Sequence, residues 1–259
     1  MRTLKDRREG GRLAMCIVLS VSVYVLLIAS IVGGLYVAIF AAAFAVSLGL
    51  MAGHLRGNGV RVSERQFPEA HAELVRLSQR LDMPVPEMYV LQAGGVLNAF
   101  ATQFSTRRFV VVYSDLFEMA LDGGRAGLSF VIAHELAHIK RRHLDWRPWI
   151  APAMFVPLVG AAYSRACERT CDNYATWLCP EGVEPGLLAL AAGRRLSKLM
   201  SGDAFVDQLP DGDFWFELAQ AFADHPHLVH RVNDCVALRQ ELGAAAPMAV
   251  AESQPMPVV

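Results

Sequence analysis

Charge of either sign is scarce in this 259-residue chain: Asp, Glu, Lys and Arg make up 19% of it, with 24 basic residues against 25 acidic ones and a net charge of -1. Without a basic excess there is no electrostatic footprint for nucleic acid, and without an acidic excess nothing keeps the chain solvated and unfolded. Cysteine is sparse as well. Five of them, an odd number without a dense framework, fit a reducing compartment and free thiols better than a disulfide scaffold. No internal repeat is visible, and the length suits one sizeable core with an attached segment.

The strongest absence is local. From Leu13 to Gly53 there is no Asp, Glu, Lys, Arg or His. A single helix of about 40 residues would be roughly twice the thickness of the bilayer's hydrocarbon. Gly33-Gly34, near the middle, can make a tight reversal, so the run reads as two spans, about 13–32 and 35–54, forming a helical hairpin within an anchor over 1–56. Arg7 and Arg8 ahead of an apolar run, with Ala43-Phe44-Ala45 beyond it, superficially resemble a secretory signal. The run is far too long for that, because signal cores are only about 7 to 15 residues. Arg2, Lys5, Arg7, Arg8 and Arg12 flank the entry and Arg56, Arg61 and Arg65 the exit, which places both ends, and the remainder of the chain, in the cytoplasm of a cell with an inner (plasma) membrane.

Past the anchor, Phe67, Ala70, Leu74, Leu77 and Leu81 recur at helical spacing until Pro84 and Pro86. Glu87 to Gln92 and Arg107 to Tyr113 read as strands, the second β-branched through Val110-Val111-Val112. Arg125 to His143 is a helix with a basic last turn, and further helices are expected at about 164–179, 185–201, 213–223 and 227–242. Residues 244–259 read as a disordered tail. The fold class is therefore α+β, mainly helical, with a small β-sheet.

His134-Glu135-Leu136-Ala137-His138 lies inside the Arg125 to His143 helix. Four-residue spacing puts both imidazoles on one face, where they can converge on one ion, and Glu135 falls beside the same point. Zinc brings the pKa of a coordinated water toward about 7, so a neighbouring carboxylate can take its proton as it attacks a peptide carbonyl. Apolar neighbours Phe130, Val131, Ile132, Leu136 and Ile139 argue against a merely solvated face. A catalytic zinc takes three protein ligands. Glu168 and Asp172, one turn apart, are both candidates for the third, the other being free to hydrogen-bond a ligand histidine; spacing does not choose between them. Cys167, Cys171 and Cys179 form a competing donor set but match no zinc-knuckle spacing and read better as small buried apolar groups. His143 falls at the exposed basic end of the helix.

From about Val60 to Leu238 the chain resembles the HtpX-like and CaaX prenyl-protein endopeptidase family of membrane zinc peptidases. Four blocks carry the likeness: Leu97 to Ala101, Ala133 to Ile139, Ser164 to Asp172, and His225-Pro226 followed by Arg231. The resemblance implies a zincin-type peptidase domain, over 57–243, that holds one zinc ion. It implies Glu168 as third ligand, Asp172 as the carboxylate behind a ligand histidine, and His225 and Arg231 as stabilisers of the oxyanion. It also implies that Asn98 positions substrate backbone beside an edge strand containing Val110 to Val112, onto which an extended polypeptide would add. Cys171 departs from the alanine often found there. Some relatives carry two spans between the histidine pair and the glutamate, but Trp146 to Tyr163 is too short to cross twice and reads as a buried or interfacial piece against the bilayer. The expected partners are thus a polypeptide substrate and the lipid bilayer, in a setting such as membrane-protein quality control. The alternative is a zinc-containing binding or scaffolding protein without turnover.

Overall fold

The computed structural model describes residues 4–92, 98–104, 107–119 and 124–252, with side chains as far as 243. It begins with two long apolar helices, α1 (Glu9–Ile28) and α2 (Ile31–Asn58). The chain reverses at Ala29 and Ser30, earlier than the expected Gly33-Gly34 turn. Ser30 explains the position: its backbone is extended and its Oγ accepts from the Gly33 N–H at 3.0 Å, an N-cap that starts α2 at Ile31. Gly33 is needed for contact rather than for turning, since a Cβ there would meet the Leu27 carbonyl oxygen at 2.1 Å.

Both helices are long and apolar enough to cross a membrane, with mean hydropathies of 2.2 and 2.3. Their apolar side chains are mostly uncovered by protein, as at Leu26, Ile31, Phe40 and Leu50, a pattern that is costly in water and ordinary in lipid. The 28 residues of α2 outrun a hydrocarbon layer of about 30 Å. Its last turns become buried, with Ala52 and Leu55 packing on Tyr89, Phe109 and Val111.

Those three side chains form one face of a four-stranded sheet of β1 (Val60–Arg61), β2 (Glu87–Leu91), β3 (Ala99–Phe104) and β4 (Arg107–Tyr113), with α3 (Pro68–Arg80) between β1 and β2. The spatial order is β1-β2-β4-β3, with β2 and β4 parallel and the outer pairs antiparallel. Alternation sorts the strands: Tyr89, Phe109 and Val111 turn to α2, whereas Met88, Val90, Val110 and Val112 turn into the main core. The expected edge strand is corrected here. β4, which carries Val110 to Val112, is flanked on both sides, and among the described residues the sheet's edge strands are β1 and β3.

After α4 (Ser114–Met119), α5 (Arg125–Lys140) runs through the core, buried on nearly every side from Gly127 to Ile139. Enclosure of this kind overrides the weak helix preference of Val131 and Ile132. Short α6 (His143–Trp146) and α7 (Ala151–Met154) lead to α8 (Val159–Leu178), which packs on α5. The 146–163 segment lies against α1: Ile150, Ala153 and Tyr163 surround Cys16, Tyr24 donates its hydroxyl to the Pro148 carbonyl at 2.9 Å, and the Ala153 N–H donates to Ser20 Oγ at 3.1 Å. Trp149 and Phe155 of the same segment are exposed. Then follow α9 (Val183–Leu196), α10 (Gly202–Val206), α11 (Phe214–Phe222) and α12 (Leu228–Glu252). The last helix continues into the segment expected to be a tail, whose residues 253–259 lie outside the described ones.

Candidate metal centre

Helices α5 and α8 bring the sequence-predicted donors together. His134 Nε2 lies 3.2 Å from Glu168 Oε2, His138 Nε2 lies 3.3 Å from Glu168 Oε1, and the two Nε2 atoms are 3.3 Å apart. Donors at about 2.1 Å from a tetrahedral ion stand about 3.4 Å from one another, so this triangle has the dimensions that a small divalent cation demands. Its electrostatics agree. Burial alone would raise the Glu168 carboxyl, yet the two imidazoles hold it well below the usual range. Burial opposes charge on His134, but hydrogen bonds to Asp172 and Glu168 and their negative charge carry it up to about 10. The pocket is built for positive charge.

Cys171 is the rival donor. Its sulfur lies within 4.8 Å of ligand atoms of both histidines. Burial first, and then the charges of nearby carboxylates that include Glu168 and Glu135, raise this thiol well above its usual value. Its sulfur lies 3.7 Å from His143 Nδ1. Glu135 itself is buried on α5.

Asp172 stands behind His134, its Oδ1 at 2.9 Å from Nδ1. Arg231, from α12, grips the same carboxylate through Nε at 2.8 Å and Nη2 at 2.7 Å. Arg231 was expected at the oxyanion; in the structure it is buried and two of its donors are engaged by Asp172. His225 sits on the loop between α11 and α12, largely exposed, with Nε2 at 3.5 Å from Glu168 Oε1. Gln220 steadies that loop by donating to the His225 carbonyl at 3.3 Å and accepting from the His227 N–H at 2.7 Å. Asn98 is exposed at the start of β3 and turns its Oδ1 onto the Ala99 N–H at 2.9 Å, so its side chain serves its own strand.

His143 is the residue that sequence reasoning misplaced. It is buried, not exposed, with Nδ1 at 3.1 Å from His138 Nδ1. Burial, in first place, pulls it below the usual histidine value. Arg142, left-handed at φ 60°, turns the chain so that the ring folds back under α5. No local signal announces this, since Arg is not a residue that favours such a conformation. His138, His143, Phe155, Tyr163, Glu168 and His225 help to line a cavity of about 330 Å³.

The family model described as peptidase family M48 matches residues 64–148, which include both histidines but not Glu168. The Arabidopsis thaliana protein named plastoglobule-localized metallopeptidase 48, chloroplastic, is 31% identical over 171 residues, covering 59% of this chain and 48% of that protein. A protease HtpX homolog of Thermodesulfovibrio yellowstonii is 33% identical over 130 residues, covering 48% and 45%. Against these two the chain spans about half of the relative's length. A protease HtpX homolog of Acaryochloris marina is 35% identical over 227 residues, covering 70% of this chain and 75% of that protein. No solved structure matches. Two histidines and a glutamate meeting at ligand spacing, behind a pair of apolar helices, join this extended similarity in one conclusion: the chain belongs to peptidase family M48, among its HtpX-like members.

Proposed function

We propose that this protein is a membrane-anchored, zinc-dependent endopeptidase, with residues 1–56 as a two-span anchor and 57–243 as the peptidase domain. The observation that carries the reading is the triangle of His134 Nε2, His138 Nε2 and Glu168 at 3.2–3.3 Å, with Glu135 buried on the same helix. Glu168 is preferred over Cys171 as third ligand because both of its oxygens already face the two Nε2 atoms at the separation of a filled site. When bound, zinc would supply Lewis acidity toward a water and a peptide carbonyl.

The remaining steps belong to the chain's own groups. Glu135 accepts the proton of the attacking water and returns it to the leaving amine. Asp172, clamped by Arg231, holds the Nδ1 proton of His134 and so fixes which nitrogen faces the site. His225 reaches over Glu168 from a solvent-facing loop, a place from which an N–H can meet a developing oxyanion. The free edge of β3 accepts an extended polypeptide by main-chain pairing, and Asn98 marks its beginning. Basic residues on both flanks of the hairpin favour a cytoplasmic catalytic domain. Exposed Trp149 and Phe155 suit contact with the bilayer, and membrane-protein quality control is the setting that fits such a placement.

The test uses the full chain in detergent. Glu135→Gln is expected to keep one zinc per chain and to lose proteolysis by about 100- to 10,000-fold. Glu168→Ala is expected to lose both. Proteolysis that survives Glu135→Gln would refute the role of Glu135, a wild-type chain that binds zinc without proteolysis would refute the enzyme reading, and unchanged zinc content in Glu168→Ala would remove Glu168 from the ligand set.

A further inference from the structure

The far side of His138 holds a buried network that the chemistry above does not use, and this network reaches the membrane anchor. His138 directs Nε2 at Glu168 and His134, which leaves its Nδ1 facing His143 Nδ1 at 3.1 Å. Two imidazole nitrogens at that distance share a single proton, one ring donating and the other accepting. A neutral ring that offers Nε2 to a cation carries its proton on Nδ1, so His138 donates and His143 accepts. His143 then has its own proton on Nε2. That atom is buried, has no hydrogen-bond partner among the described residues, and faces Glu9 Oε2 at 3.6 Å.

Glu9 opens α1 and is only 3% exposed. Its carboxylate is held in place from α5 and α8 at once. Arg141 Nη2, just past α5, donates to Oε1 at 3.1 Å, and Thr170 Oγ1 of α8 donates to Oε2 at 2.5 Å. Lys5 Nζ stands 3.7 Å from Oε1. The same Thr170 oxygen accepts from the Asp6 N–H at 3.0 Å, and Asn173 Nδ2 donates to the Leu4 carbonyl at 2.9 Å. The chain ahead of α1 is therefore strapped along α8, the helix that carries Glu168 and Asp172. Arg12 extends the strap by donating to the Ala162 carbonyl at 2.7 Å.

We propose that Glu9 is a positioning residue of the metal centre: acting through His143, the carboxylate at the head of the membrane anchor holds the His138 ring in the tautomer and orientation that present Nε2 to the metal. The inference rests on the metal reading given above. A ligand histidine gains basicity and loses rotational freedom when its second nitrogen is engaged, and deleting such outer partners costs about 10- to 100-fold in metal affinity. The anchor is then more than a tether, because withdrawing α1 from α8 would remove the support of one ligand.

The experiment measures the zinc affinity of the full chain in detergent, by competition with a chromophoric chelator, for a two-by-two set of Glu9→Gln and His143→Gln. Glu9→Gln keeps the shape and removes the charge; with His143 present it is expected to weaken zinc binding about 10-fold or more. In the His143→Gln background the same change is expected to have an effect within about twofold, since the intermediary is gone. An equal loss in both backgrounds, or no loss in the first, overturns the proposal. A wild-type chain that binds no zinc, or His138→Ala that binds it as tightly as wild type, sinks the metal reading and this inference with it, so the two failures are told apart. Should Glu9→Gln not fold, Thr170→Val takes its place in the same cycle: it removes only the hydroxyl that holds the carboxylate, and its smaller loss is again expected only while His143 is present.

Discussion

His134 and His138 stand one turn apart on α5 and face the same donors, but their far nitrogens meet opposite ends of the chain. Behind His134 are a carboxylate of α8 and a guanidinium of α12, joined by two hydrogen bonds in a dry setting. Behind His138 is a neutral imidazole from the turn after α5, followed by a carboxylate from the head of α1. The first support is an ion pair with its desolvation already spent, so removing one member leaves a naked charge in the core. The second begins with a neutral contact, and its loss costs orientation more than solvation. A defect behind His134 should therefore appear in folding, and one behind His138 in metal affinity.

The largest effect expected of this contrast is on stability. Asp172→Ala strands the buried Arg231 guanidinium and should destabilise the chain by about 3 to 5 kcal/mol, read from denaturant unfolding in detergent. A loss below about 1 kcal/mol would put the two supports on an equal footing and break the comparison.

The next effect is in pH dependence. Without metal, His134 holds its proton up to about 10, so zinc must displace it, and affinity should rise about tenfold per pH unit from about pH 7 to about pH 9. The fold without metal moves the other way. Its His134 is raised above the unfolded histidine value of about 6.5, so that contribution is complete below this value and disappears as pH climbs through about 10. Asp172→Asn should lower the His134 pKa and flatten the affinity slope; an unchanged slope would show that another group exchanges the proton.

The smallest effect is expected at Cys171, which touches the His138 side through His143. If Glu168 is the third ligand, Cys171→Ala should leave zinc affinity within about threefold, well short of what loss of a ligand or its direct partner brings. A larger loss would give the sulfur a place in the donor set.

Much of the site was legible in the residues. The i, i+4 histidines and the β2 and β4 strands depend on short-range periodicity and came out where expected. Strand β3 did not. Ala99-Phe100-Ala101-Thr102-Gln103-Phe104 has little β-branching and stays half-buried, so only its pairing with β4 identifies it, and that pairing moves the sheet edge. The hairpin turn was displaced because two glycines read as a reversal, whereas a serine cap made one nearby and used Gly33 for clearance. The pairing of Arg231 with Asp172 was not foreseen, because nothing local says which anion a distant arginine will meet.

By itself, the order of residues determined a charge-free run long enough for two membrane helices and a helix with two imidazoles and a carboxylate on adjoining positions. Both are consequences of backbone geometry repeated over a few residues. Only the tertiary structure decided that Glu168 completes the triangle, that Arg231 clamps Asp172, and that His143 and Glu9 lie behind His138. These contacts join residues far apart in the chain, and burial selects them by requiring each charge taken out of water to find a partner.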